Sequence, residues 1–95
     1  MIYNETVTGF VEEIPAKVSR LKNAFNNDDL NGYAIEAHSI KSDSKYLGFI
    51  NLAETSFQHE IHAKEGDVNF IRENYEKYLE EIERITKILK NYLAK

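Results

Sequence analysis

Cysteine is absent from the sequence, so the chain has no disulfide, no thiolate nucleophile and no sulfur-ligated zinc or iron–sulfur site. Four glycines and one proline in 95 residues are too few for the many turns of an all-β chain. No apolar run approaches the roughly 18 residues that a membrane helix needs. The opening MIYNETVTGF also lacks the basic start and apolar core of a secretion signal. The chain therefore reads as soluble and cytoplasmic, without a membrane partner. An excess of basic charge is missing too: the formal net charge is -4 and no basic stripe is visible. Nucleic acid is thus not an expected partner, whereas proteins are. There is no internal repeat, linker or low-complexity segment, and this length holds one hydrophobic core. We expect one domain over residues 1–95, monomeric, with one site.

What the sequence does hold is Leu, Ile, Ala, Glu and Lys in long stretches favourable to helix. Phe10, Ile14, Val18, Leu21 and Phe25 recur at helical spacing and mark a first helix. Pro15 falls inside that pattern, so a kink or restart is expected there, leaving residues 2–13 as a candidate separate short helix. Asn26-Asn27-Asp28-Asp29 is capping material, and Leu30, Ala34, Ala37, Ile40 and Leu47 give a second helix over roughly 29–46. After Gly48, a third helix is marked by Ile50, Ala53, Phe57 and Ile61 and should end at Gly66. Asp67 then caps a last helix carrying Ile71, Tyr75, Tyr78, Leu79, Ile82, Ile85, Leu89 and Tyr92. Short connections imply antiparallel neighbours, so the expected fold is all-α, an up-down four-helix bundle.

His38 lies one step off the Ala34-Ala37-Ile40 stripe, at the border between buried and solvent faces. Lys41, Ser42 and Lys45 follow at i+3, i+4 and i+7 on the same surface strip, and Ile35 precedes it by one turn as an apolar residue suited to docking. A neutral imidazole is a nucleophile near neutral pH, and lysines and hydroxyls beside it can stabilise an arriving phosphoryl group. Spacing alone does not separate this reading from an ordinary solvated helix face.

The segment Ala37-His38-Ser39-Ile40-Lys41-Ser42-Asp43-Ser44-Lys45-Tyr46-Leu47-Gly48 resembles the signature of histidine-containing phosphotransfer (HPt) domains. Ile40, Lys41, Ser44, Leu47 and Gly48 fall at matching offsets, and Leu52 continues the pattern. The bundle resemblance covers nearly the whole chain and the motif about a quarter of it. The resemblance implies a phosphocarrier, not an enzyme and without kinase activity of its own. It would carry a phosphoryl group on His38 between receiver-domain aspartates of response regulators and a hybrid sensor histidine kinase. It implies no cofactor in this chain, the divalent metal belonging to the partner receiver. It also implies that Glu60 hydrogen-bonds the Nδ1 side of His38, fixing the tautomer that leaves Nε2 free. Lys64 matches a basic position seen in some members, and an i,i+4 surface pair with Glu60 is the alternative.

Two departures stand out. Ser42 occupies a position that is usually glycine, where a missing side chain lets the partner approach. Asp43 replaces another small residue, pointing away from the phosphate as a partner or solvent contact. His59 and His62 lack the His-Glu-x-x-His spacing of zinc proteases and read as surface histidines by default. Two rival functions remain: a non-phosphorylated adaptor that binds a protein through the Ile35–Lys45 surface, and a metal-binding bundle using His59 and His62. Acid-labile phosphate on the protein would separate the carrier from the adaptor.

Overall fold

A computed structural model describes residues 2–94, with side chains from residue 4 onward. Four helices account for nearly all of them: α1 (Ile2–Asn26), α2 (Leu30–Leu47), α3 (Ile50–Lys64) and α4 (Val68–Ala94). Packing joins α1 to α2, α2 to α3, α3 to α4 and α4 back to α1, so the helices run up and down in a closed ring. The bundle measures 41 × 21 × 18 Å.

The three connections are built alike. At each, one residue adopts a left-handed conformation while the next backbone N–H reaches back across the last helical turn. Asp29 N donates to Ala24 O, Phe49 N to Ser44 O and Asp67 N to His62 O, each at 2.8 Å. This pattern satisfies carbonyls that a helix end otherwise leaves without donors. Gly48 (φ 90°) and Gly66 (φ 75°) fill the left-handed position in two of the turns, and Asp28 (φ 54°) fills it in the first. Two of the following helices start on a side-chain cap, Asp29 accepting from Gly32 N at 2.9 Å and Asp67 from Phe70 N at 3.1 Å, whereas α3 starts at Phe49 without one.

Pro15 does not divide the first helix. The helix runs unbroken through it, with no separate short helix over residues 2–13. Pro15 is exposed, so water can replace the donor that its ring removes, while Phe10, Ile14 and Leu21 are buried on both sides of it. Packing on both flanks thus outweighs the local penalty. Stacking of Phe25 on Tyr75, with centroids 3.7 Å apart, ties the end of α1 to α4.

The stripes expected for α1, α2 and α4 form the core, apart from Tyr92, which stays exposed at the end of α4. In α3 the expectation fails. Ile50 and Phe57 are exposed, whereas Leu52, Ala53, Ser56, His59, Glu60 and Ala63 are buried. The buried face is turned about 100° from the apolar one, taking about 100° per residue. Ser56, His59 and Glu60 on that face have polar partners on α4 and α2.

Candidate functional site

His38 sits in the middle of α2, where buried Ala37 and Ile40 point inward and leave its ring at the edge of the core with 57% of the side chain exposed. Its Nδ1 lies 2.9 Å from Glu60 Oε2. Glu60 comes from the adjacent face of α3 and is only 5% exposed. Two lysines meet the same carboxylate: Lys64 Nζ donates to Oε2 at 2.9 Å, and Lys41 Nζ stands 3.1 Å from Oε1. Lys41 is thus the counter-ion of Oε1 as Lys64 is of Oε2. Lys41 also lies over the Phe57 ring, 5.0 Å from its centroid, which restrains the ammonium group.

Burial pushes the Glu60 carboxyl toward the neutral form, but Lys64, Lys41 and His38 oppose it and hold its pKa at about 2. The ionised carboxylate can only accept, so at Nδ1 the imidazole must be the donor. A neutral His38 then carries its lone pair on Nε2, a nitrogen with no hydrogen-bond partner among the described residues. The ring that carries this nitrogen is more than half exposed, and the two ammonium groups meet the same carboxylate as its Nδ1. Around it lies an open depression of about 430 Å³ lined by Asn31, Ala34, Ile35, His38, Glu60 and Lys64. Ile35 is 65% exposed on its rim.

The other residues singled out from sequence divide. Ser42 is exposed, and Lys45 is exposed in the last turn of α2; neither joins the contacts around Glu60. Asp43 is not a free solvent or partner contact, because it forms an ion pair with Lys17 and so ties α2 to α1. Lys64 makes the i,i+4 pair with Glu60, and by making it enters the site.

His59 is not a surface histidine. It is 1% exposed, accepts or donates a hydrogen bond with the Tyr33 hydroxyl at 2.8 Å, and stacks on Tyr78 with centroids 4.2 Å apart. Burial lowers its pKa to about 4, with the positive potential of His62 adding to the effect, so at neutral pH it is uncharged. Tyr78 in turn donates to Ser56 Oγ at 2.8 Å. Burial drives both tyrosine hydroxyls well above their ordinary range. His62 instead belongs to the α3–α4 turn: its Nδ1 lies 2.8 Å from Asp67 Oδ2, and its ring stacks on Phe70 at 3.7 Å. The two rings both pack on Phe70, but their hydrogen bonds go to different partners, Tyr33 and Asp67. The sequence offered no signal for the Tyr33–His59 pairing beyond two polar-capable rings at helical spacing from core positions.

The Hpt domain family model matches residues 5–91. No curated protein and no solved structure matches the chain. Domains of this family are phosphocarriers rather than enzymes, and they work with response-regulator and kinase domains in two-component phosphorelays. Among the described residues no helix is long and apolar enough to cross a membrane. The family match spans all four helices, including the α2 and α3 segments that bring His38 and Glu60 together, and the chain belongs to the Hpt domain family.

Proposed function

We propose that His38 is the phosphoacceptor of this Hpt domain and passes the group to and from aspartates of receiver domains. The observation that carries the reading is the His38 Nδ1–Glu60 contact of 2.9 Å, which leaves Nε2 as the exposed nucleophile on a chain of this family. In the forward step the Nε2 lone pair attacks phosphorus of an aspartyl phosphate on the receiver. The N–P bond forms as the P–O bond breaks, and the aspartate carboxylate leaves with the electron pair. Positive charge that develops on the ring is stabilised by Glu60 through the Nδ1 proton. Return to a second receiver reverses the step.

Lys41 and Lys64 balance the single negative charge of Glu60 before transfer, and the nearly two charges of the incoming phosphoryl group draw on the same pair. Their role is electrostatic, through charge placed beside the Glu60 carboxylate. Ile35 and the depression beside it receive the apolar part of the receiver, and exposed Ser42 and Lys45 border the approach. The receiver brings the divalent metal and the in-line geometry, so a plain helical surface is enough on this side.

The test is incubation with a panel of phosphorylated receivers followed by treatment with acid and base. Phosphate that moves to this chain, is lost in acid and survives base supports the assignment. An adaptor using the same surface would bind a receiver without taking up phosphate, and that outcome overturns it.

A further inference from the structure

The orientation of α3 is not what its apolar residues would select. A helix rolled to bury Ile50, Phe57 and Ile61 would carry Glu60 away from α2, yet Ile50 is 63% and Phe57 39% exposed. The buried face that exists instead offers only one large apolar side chain, Leu52, beside the small Ala53, Ser56 and Ala63. Small residues pack closely but resist rotation poorly, because they present no knob to catch between neighbouring side chains. Two buried hydrogen bonds supply what they lack. His59 reaches Tyr33 on α2 at 2.8 Å, and Ser56 accepts from Tyr78 on α4 at 2.8 Å. The stack of His59 on Tyr78 links the two bonds into one unit that grips α3 from both sides.

We infer that Tyr33, His59, Tyr78 and Ser56 are positioning residues that fix the roll of α3 and thereby hold Glu60 against His38. The lever is short and steep. His59 is the residue before Glu60 and Ser56 lies one turn before it, so both bonds act at the level of the carboxylate. A side chain about 5–6 Å from the helix axis moves about 2 Å for a roll of about 20°. That displacement would open the 2.9 Å contact at His38 Nδ1. Breaking either bond also strands a buried polar group, which favours the rolled state further.

The inference rests on the assignment of His38 above, and the measurements separate the two. The variants are Tyr33→Phe, which keeps the ring and loses the hydroxyl, and Ser56→Ala, the milder change. Leu89→Ala, a core truncation on α4, serves as a control for lowered stability alone. Two readouts are taken on protein that remains helical: the Nδ1–H to Nε2–H tautomer ratio of His38 by nitrogen-resolved NMR, and the rate at which phosphoramidate phosphorylates the chain. In that reaction Nε2 takes the phosphoryl group and ammonia leaves. Tyr33→Phe is expected to reduce the Nδ1–H tautomer and slow the reaction at least five-fold, and Ser56→Ala to do both to a lesser degree. Leu89→Ala should lower the melting temperature and leave both readouts within two-fold of wild type. Tautomer ratios unchanged in Tyr33→Phe and Ser56→Ala would overturn the inference, whatever the fall in stability. If wild type takes up no phosphate on His38 while the tautomer still responds, the functional assignment fails and the positioning role stands.

Discussion

At the scale of single residues, acid separates the two buried ionisable groups of α3. Burial favours a neutral Glu60, and Lys64, Lys41 and His38 reverse that preference, so its folded pKa of about 2 lies below the ordinary 4.5. A depressed carboxylate contributes stability that is fully present above pH 4.5 and is lost as pH falls toward 2. His59 is depressed from 6.5 to about 4, so the unfolded chain binds its proton first and stability falls as pH drops through that interval. Urea unfolding at a series of pH values should show both windows in the wild type. Glu60→Gln should keep only the upper loss and His59→Gln only the lower. An unaltered slope below pH 4.5 in Glu60→Gln would show that the carboxylate is not held ionised by its neighbours. Lys41 is tested kinetically: Lys41→Ala should leave the fold intact and slow phosphoryl transfer several-fold at low ionic strength, where partly exposed charges act most strongly. An equal rate in the two proteins would reduce Lys41 to a counter-ion of Glu60.

At the scale of elements, the three shared turns make opposite forecasts at equivalent positions. Asp28 holds a left-handed conformation that a side chain disfavours, and its ion pair with Arg72 is long, 3.9 Å, and exposed on both sides. Such a pair contributes roughly 0–1 kcal/mol at most. Asp28→Gly should therefore be neutral to stabilising by about 1 kcal/mol, while Gly48→Ala should cost about 1 kcal/mol. Thermal melts of both variants check the pair of signs. Gly48, Gly66 and Asp67 are also where the sequence was easiest to read, because turn and cap chemistry is local. Asp28 was legible only as capping material, not in its left-handed conformation, because a left-handed aspartate looks like any other loop residue. Pro15 misled because its cost is local while the packing of Phe10, Ile14 and Leu21 that overrides it is not. The α3 stripe misled most, since Ser56, His59 and Glu60 are buried through partners on α2 and α4 that no periodicity within α3 reveals. His38 and Lys41 could be placed on one face of their own helix, but spacing alone did not distinguish that face from an ordinary solvated one. Glu60 was legible only through family resemblance.

For the molecule as a whole, the ring order α1–α2–α3–α4 places the site on the α2–α3 face, leaving α1 and α4 as the wall behind it. With a net charge of -4 the chain gathers Lys41 and Lys64 around Glu60, where the proposed reading brings in a phosphoryl group. Docking on that face should depend on apolar contact as well as charge. Ile35→Asp should weaken receiver binding about ten-fold or more, the equivalent of about 1.4 kcal/mol, with no change in melting temperature. Calorimetric titration measures the first quantity and circular dichroism the second; undiminished affinity would move the docking surface elsewhere. His38 itself is the most direct point of test. Intact-mass measurement after incubation with a phosphorylated receiver should find one added phosphoryl group on the wild type and none on a folded His38→Gln variant. A phosphoryl group retained by that variant would contradict the assignment of the phosphoacceptor.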